Sequence, residues 1–337
     1  MNDNAPLAVI ILAAGKGTRM KSTRAKVLHE VFYRPMLHHV LDATAPLNPD
    51  KTIVVVGHQK AAVEAVLAGY DVTCCEQEEQ NGTGHAVLCA RPALTGFTGD
   101  VMILCGDSPL LQAKHLSDMR DAHRRHGSRL TIMTTSLESP TGYGRIISDD
   151  SGAVSAVIEE KDATHQQRAI NEINAGIYIG DADFLFDALS RVTTDNSQGE
   201  IYLTDIVEIG VGDGLTVEKY EHPHPDHVLG VNSKIELSLA HQEIQRRRNA
   251  ELMAQGVTML DPATISIAPT ASVGSDCRLT SQITVTGTST IGSGCTIEPG
   301  VCIDNSVIGD AVQIGANSVM RNCTIDNNQC IDPLTRI

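Results

Sequence analysis

From Leu7 to about Asp226, short apolar runs alternate with stretches in which apolar positions recur every three or four residues. The short runs read as strands and the longer 3.6-residue pattern as helices. The predicted strands are Leu7–Leu12, Thr52–Val56, Val101–Leu104, Leu130–Thr134 and Ile173–Ile179. Helices are predicted over Pro35–Ala45, where proline in the first turn loses no hydrogen bond, and over Lys60–Leu67, Thr83–Leu94 and Ala113–His126. Such alternation predicts an α/β domain on a mostly parallel sheet. A further helix-rich stretch, Ser233–Ala254, carries the run Gln245-Arg246-Arg247-Arg248, which reads as a solvated face beside a linker.

After Leu260 helix formers fade, and Gly, Ser, Thr, Ile and Val dominate. Every sixth residue is apolar and β-favouring: Ile267, Val273, Leu279, Val285, Ile291, Ile297 and Ile303. The frame slips by one near Asn305 and resumes at Ile308, Ile314 and Met320, which predicts an irregular corner. Period six is the mark of a β-helix whose three faces each point one side chain inward per coil, whereas a sandwich of short strands would show period two. The 78 residues from Leu260 to the last residue, Ile337, make about four coils. A β-helix is a stacking device and specifies no chemistry.

Composition narrows the partners. With 41 acidic against 26 basic residues the net charge is −15, which opposes general attraction to nucleic acid or to an anionic membrane. The segment Met1-Asn2-Asp3-Asn4-Ala5-Pro6 has no basic region ahead of the Leu7–Ala14 apolar run, which is too short for a membrane span, so a cytoplasmic address is expected. Nine scattered cysteines, an odd number without a C-x-x-C pair, read as reduced thiols packed as small apolar residues.

Against that acidic background, Lys16, Arg19, Lys21, Arg24 and Lys26 crowd eleven residues that contain no carboxylate. They follow Leu12-Ala13-Ala14-Gly15, a small-residue turn beyond the carboxyl end of the first strand, where open α/β sheets bind ligands. A Walker A loop would need glycine where Ile10 stands. A dinucleotide fingerprint would need glycine at Met20 and an acid near Val56-Gly57-His58, and both patterns fail. A basic glycine loop of this kind suits a triphosphate, since cations aimed at departing pyrophosphate stabilise charge that grows in the transition state. The cluster Gln77 to Ala86 reads either as a turn and cap or as a pyrimidine edge site, with Gln77 offering donor and acceptor and Gly82 close backbone approach. Asp107, just past Val101–Leu104, suits a magnesium ion or a helix cap equally well.

In order along nearly the whole chain, several long segments occur together: Leu12–Met20, Lys26-Val27-Leu28-His29, Gln80 to Ala86, Gly106-Asp107, Thr141 to Ile146, Glu159 to Thr164, Ile170 to Ile177, Gln198 to Asp205 and Gly230-Val231-Asn232. They resemble the uridyltransferase portion of the bacterial bifunctional N-acetylglucosamine-1-phosphate uridyltransferase / glucosamine-1-phosphate acetyltransferase family. The resemblance implies a Rossmann-like nucleotidyltransferase domain over 1–231, a helical linker over 232–259 and a short left-handed parallel β-helix over 260–337. It implies transfer of uridylyl from UTP to N-acetylglucosamine 1-phosphate, giving UDP-N-acetylglucosamine for cell-envelope precursors. In this reading Leu12, Ala13, Ala14 and Gly15 contact the nucleotide, Arg19 and Lys26 are catalytic on the phosphates, and Gln77, Gly82 and Thr83 meet the uracil. Asp107 and Asn232 would hold Mg2+, and Gly144, Glu159, Asn174, Tyr202 and Thr204 the sugar phosphate.

The family's acetyltransferase site lies in further coils, so acetyl transfer is not expected, while association through the β-helix implies a homotrimer. The histidines His29, His38 and His39 read as packing or capping residues, since in-line phosphoryl chemistry needs no acid–base partner. This chain departs from the family at Arg24-Ala25, at Tyr33-Arg34, at Ala175 and at Cys105, and none of these removes a charged or metal-binding group. Rival readings are the same chemistry on another base or sugar phosphate, and a non-catalytic regulatory homologue, which need not retain Arg19, Lys26, Asp107 and Asn232.

Overall fold

The computed structural model describes residues 5–337; Met1 to Asn4, part of the segment read above as lacking a basic region, lie outside them. Two compact units result, one reaching to His29 and resuming over Arg34–Lys234, the other made of Glu30–Tyr33 and Ile235–Ile337. The first is built on a nine-stranded sheet: β1 (Leu7–Leu12), β2 (Lys51–Val56), β3 (Thr73–Glu76), β4 (Asp100–Cys105), β5 (Leu130–Ser136), β6 (Arg145–Ser148), β7 (Val154–Ile158), β8 (Glu172–Asp181) and β9 (Glu218–Glu221). Their order is β9-β5-β8-β4-β1-β2-β3, with β6 on β8 and β7 on β6. The run β4-β1-β2-β3 is parallel, and the long β8 enters antiparallel between β4 and β5.

The helices are α1 (Met36–Thr44), α2 (Lys60–Val66), α3 (Thr83–Ala90), α4 (Ala113–His126), the short α5 (His165–Arg168), α6 (Ala182–Arg191) and α7 (Asp205–Gly212). Successive strand residues face opposite sides, and both sides of β1 are covered. Leu7, Val9 and Ile11 join a core with Leu37 and Val40 of α1 and Leu116 and Met119 of α4. Ala8 and Ile10 join another with Val87 of α3 and Leu185 and Leu189 of α6. Burial on both faces is why this strand reads as one continuous apolar run.

The predicted elements recur with shifted ends. The helix expected over Thr83–Leu94 stops at Ala90 and tightens into a 3-10 turn over Arg91–Leu94, because Pro92 has no N–H to continue it. The sequence pattern did not reveal β3, the β6–β7 hairpin, α6, α7 or β9. Strand β3 reads Thr-Cys-Cys-Glu and has no fully buried residue, so no hydrophobic period announces it.

In the second unit α8 (Lys234–Ala254) precedes three stacks of short parallel strands that form the β-helix. Ile267, Leu279, Val285, Ile291, Ile297, Ile303, Ile308, Ile314 and Met320 all point into one core. Successive strands are offset by 18 residues at Ser272↔Thr290 and by 17 at Thr290↔Val307, which is the slip read near Asn305. A second slip, between Met320 and Ile325, was not foreseen. Most corners turn through a left-handed residue; Asp276, Gly294, Ala311 and Asn328 occupy one of them in successive coils.

Helix α8 covers the first coil. Gln245 donates to the carbonyls of Ala263 and Ile265, Asn249 to Pro262 and Ile265, and Arg248 to Ala271, while Leu252 joins the apolar core. The run Gln245–Arg248 is therefore only partly a solvated face. Arg246 and Arg247 do pair outward with Glu243, whose carboxyl they hold down at about 2. Among the described residues no helix is long and apolar enough to cross a membrane, and all nine cysteines are free thiols.

Two substitutions check this packing. Ile303→Ala should cost about 2–5 kcal/mol, since the interdigitated coil core cannot collapse around the gap. Ala311→Asn should instead raise stability by about 1 kcal/mol, because an exposed alanine now sits at a left-handed corner that asparagine tolerates. Chemical denaturation of each variant measures both.

Candidate active site

Two backbone constraints shape the loop after β1. Gly17 is left-handed (φ 62°), and a Cβ there would lie 2.5 Å from the Lys26 Cβ, so only glycine lets the loop fold back onto Lys26. The loop is tied to the sheet by Ala13 N–H to Val55 O (2.9 Å), Gly106 N–H to Leu12 O (2.9 Å) and His58 N–H to Ala14 O (3.1 Å). It forms one wall of a cavity of about 440 Å3 lined by Leu12, Ala13, Ala14, Gly15, Arg19, Lys26, Gln77, Gly82, Thr83, Asp107 and Asn232 among others. Of the five clustered cations only Arg19 and Lys26 line it; Lys16, Lys21 and Arg24 are exposed elsewhere.

At one end of this cavity three separated segments meet. The Lys26 ammonium pairs with the Asp107 carboxylate and donates to Asn232 Oδ1 (2.6 Å), and Arg19 Nη2 donates to the same oxygen (2.8 Å). Asn232 is steadied by its own Nδ2 donating to Gly230 O (2.9 Å), and Val231 N–H bonds Asp107 O (2.8 Å). Gly230 leaves room for the Asp107 carboxylate, which would lie 2.7 Å from a Cβ at that position. A carboxylate and an amide oxygen thus converge on a cation. That all-oxygen set, short of a full cage, fits a hard divalent ion such as Mg2+, which prefers one or two protein oxygens plus substrate phosphates.

At the other end, β3 delivers Gln77, whose backbone N–H bonds Val56 O. The Gln77 side-chain NH2 donates to Gly82 O (3.0 Å) and lies 3.2 Å from His85 Nδ1, which leaves its carbonyl oxygen as the uncommitted group. Gly82, at φ 102°, approaches the Ile201 carbonyl too closely for any side chain. The turn 81–84 is bound to 201–203 by Ile201 N–H to Asn81 O, Gly84 N–H to Ile201 O and Leu203 N–H to Thr83 Oγ1. Gln80, quoted in the sequence motif but given no role there, lines the cavity and donates to Ala14 O (2.8 Å), joining the two loops.

Residues expected at the sugar phosphate gather beyond that tie. Thr204 Oγ1 donates to Glu159 (3.3 Å), and Asn174 N–H bonds Gly144 O (2.9 Å). The 143–145 turn is fixed by Arg145, 1% exposed, whose guanidinium donates to the Tyr143 carbonyl and to Glu160 (2.7 Å). Strand β8 breaks register between Asn174 and Tyr178, and this bulge turns the Asn174 amide toward the Tyr178 hydroxyl (2.6 Å) and the Gly176 N–H (2.9 Å). Tyr202 is placed apart from the phosphate cavity. Its hydroxyl donates to Asp162 (3.2 Å) and accepts from Gln198 (2.8 Å), and it lines a neighbouring acidic cleft with Glu159 and Asp205.

Burial pushes the Glu159 carboxyl above its ordinary value, reinforced by Asp205, Asp162 and Glu200. Burial, then Glu208 and Asp162, pushes Asp205 up to about 6, and burial pushes the Cys105 thiol up to about 12. Cys105 is accordingly an inert thiol against the Gly176 carbonyl. His29 receives a hydrogen bond from Lys234 and His38 contacts Val66 O, which are structural roles. A larger depression of about 1520 Å3 lies over α4, but its Arg124–Asp100, Arg129–Asp181 and Lys114–Asp118 pairs neutralise one another.

A family model described as a MobA-like NTP transferase domain matches residues 9–172. The chain is 49% identical over 325 residues to the bifunctional protein GlmU of Desulfotalea psychrophila, covering 96% of both chains. It is 42% identical over 332 residues to the bifunctional protein GlmU of Pelobacter propionicus, covering 98% of this chain and 72% of that one. With the Geobacter metallireducens protein of the same name it shares 46% identity over 303 residues, 90% of this chain and 64% of that one.

The acidic cleft makes stability pH-dependent. A folded-state carboxyl pKa raised above the unfolded value contributes stability that is complete below the unfolded value, near 3.8, and is lost as pH rises through about 6 for Asp205. Asp205→Asn should therefore flatten the fall in Tm across that window, as measured by calorimetry at stepped pH.

Proposed function

The chain belongs to the bifunctional GlmU family and is a nucleotidyltransferase, and from that premise we propose that it joins UTP to N-acetylglucosamine 1-phosphate with Mg2+, releasing pyrophosphate. The observation that carries this reading is the meeting of Arg19, Lys26, Asp107 and Asn232 at one end of a cavity whose other end presents Gln77 and Gly82. Cations at one end suit a triphosphate tail, and an amide with a close backbone approach at the other suits a base.

The sugar-phosphate oxygen attacks the α-phosphorus of UTP, a P–O bond forms in line, and the bond to pyrophosphate breaks. No residue is nucleotidylated on the way, so positioning and charge neutralisation supply the rate. Arg19 and Lys26 meet the charge that builds on the departing phosphates. Asp107 and Asn232 would hold the Mg2+, which supplies further neutralisation and draws the reacting phosphates together when bound. Leu12, Ala13, Ala14 and Gly15 carry backbone groups with little side chain between them and the nucleotide. The free carbonyl oxygen of Gln77 complements the N3–H of uracil and opposes cytosine, which presents a lone pair at that position. Glu159, Asn174, Gly144 and Thr204 offer hydrogen bonds to sugar hydroxyls, acetamido and phosphate, and Tyr202 closes the acidic side.

We assign this work to residues 1–231, with 232–259 as linker and the coils of 260–337 as the means of forming a cytoplasmic homotrimer. The exposed Val307 and Leu334 supply apolar surface for that contact. Sedimentation of the full chain as a monomer at micromolar concentration would refute the trimer.

Pyrophosphate release across a panel of nucleoside triphosphates and sugar phosphates should peak with UTP and N-acetylglucosamine 1-phosphate. A preference for another pair, or no activity with any, rejects the assignment. An acetyl-CoA and glucosamine 1-phosphate arm checks the expectation that acetyl transfer is missing. Lys26→Ala and Arg19→Ala should each lower kcat/KM by about 10²–10³, the usual cost of one transition-state donor. Asp107→Asn should raise the Mg2+ concentration needed for half-maximal rate. Gln77→Ala should narrow the preference for UTP over CTP.

A further inference from the structure

Away from this cavity, four imidazoles crowd one place. The chain runs His222-Pro223-His224-Pro225-Asp226-His227, and the two prolines fix φ within the run, so few turns are open to it. His222 and His227 fold toward His115, in the first turn of α4. The rings of His115 and His222 lie 4.3 Å apart at 68°, those of His115 and His227 are stacked at 5.5 Å, and His224 stands 5.1 Å from His227. Ligand atoms of His115, His222 and His227 all lie within 4.8 Å of one another. His115 is 9% and His222 5% exposed, so these are enclosed groups.

Packing alone would favour apolar side chains in such a place, since each enclosed imidazole brings polar nitrogens that need partners. The His222 Nδ1 lies 3.0 Å from the His224 carbonyl and 3.1 Å from the His224 N–H; the tautomer that carries its proton on Nδ1 toward that carbonyl, at the expense of the N–H contact, leaves Nε2 to ligate. His115 is steadied by a contact of 3.3 Å from the Gln112 backbone N–H to its Nδ1.

We propose that His115, His222 and His227 form a binding site for a transition-metal dication of the Zn2+ class, distinct from the oxygen pair Asp107 and Asn232. Three nitrogens without a carboxylate select zinc, cobalt, nickel or copper and give magnesium or calcium little. Zinc–nitrogen bonds of about 2.0–2.1 Å place tetrahedral ligand atoms about 3.4 Å apart, so these must be drawn up to about 1.5 Å closer than their present limit, a matter of side-chain rotation. Three protein ligands leave a fourth position for water or an incoming group. The site joins two segments that matter elsewhere: His115 follows Asp107 by eight residues, and His227 precedes Asn232 by five. An ion there would staple the start of α4 to the turn leading into Gly230–Asn232. The inference does not rest on the substrate assignment.

The test uses the full chain stripped of metal and titrated with Zn2+ and then Co2+, with Mg2+ in excess to occupy the oxygen pair. Calorimetry should show saturable binding of a single Zn2+ per chain and a rise in Tm. The Co2+ form should absorb as a nitrogen-ligated ion without a thiolate-to-cobalt charge-transfer band, which excludes the nine free cysteines. His115→Gln and His227→Gln should each weaken binding by at least about tenfold. Glutamine in the first turn still accepts from the Gln112 N–H, so metal-free Tm should hold in His115→Gln, and His227→Gln provides an independent variant. Absence of saturable Zn2+ binding, a thiolate band, or affinity unchanged in both variants overturns the proposal.

Discussion

Lys26 lies between Asp107 and Asn232, and the rest of the catalytic unit is arranged around that contact. In an otherwise acidic molecule, a cation held by a carboxylate and an amide oxygen marks where positive charge is wanted and oxygens are available. The three residues come from the loop after β1, the end of β4 and the segment before α8, so none can reach the others unless β1 and β4 are adjacent and parallel. Gly17 and Gly230 are required by the same contact. One allows the chain to return onto Lys26, and the other makes space for the carboxylate.

A second constraint sets the distance between base and sugar. The backbone bonds between 81–84 and 201–203 leave the two loops little freedom to move apart, and Gly82 sits so close to Ile201 that any side chain would pry them open. Gln80 extends the tie to Ala14. The bulge in β8 and the enclosed Arg145 hold Asn174 and Gly144 on the far side. These ties are backbone bonds, a side-chain amide bond at Gln80 and a charge-assisted bond at Arg145, which suits catalysis by positioning. The β-helix works differently. Its order comes from one inward apolar side chain per face and a left-handed residue at most corners, and α8 meets the open carbonyls of the first coil that no neighbouring strand can reach.

Much of this was readable beforehand wherever a pattern is local. The continuous apolar run of Leu7–Leu12 and the period-six series from Ile267 to Ile303 declare their elements because a buried face repeats along the chain. The crowd of cations after Gly15 declares a phosphate site because it contradicts the net charge. Strand β3 and the β6–β7 hairpin were silent because their residues are stabilised by neighbours distant in sequence. The resemblance to a known family supplied Asn174, Tyr202 and Asn232, which no spacing would have singled out.

The amino-acid sequence by itself determined the strongly periodic elements, the β-helix period with its first slip, and the chemical types gathered near each loop, since propensity and hydrophobic period act over a few residues. Tertiary structure alone decided which two of five basic residues line the cavity, that Asn232 meets both of them, that Tyr202 stands in a separate cleft, and that His115 joins His222 and His227. The physical reason is that these contacts span tens to hundreds of residues, and only the parallel register of the strands and the closure of the loops brings such positions within a few ångströms.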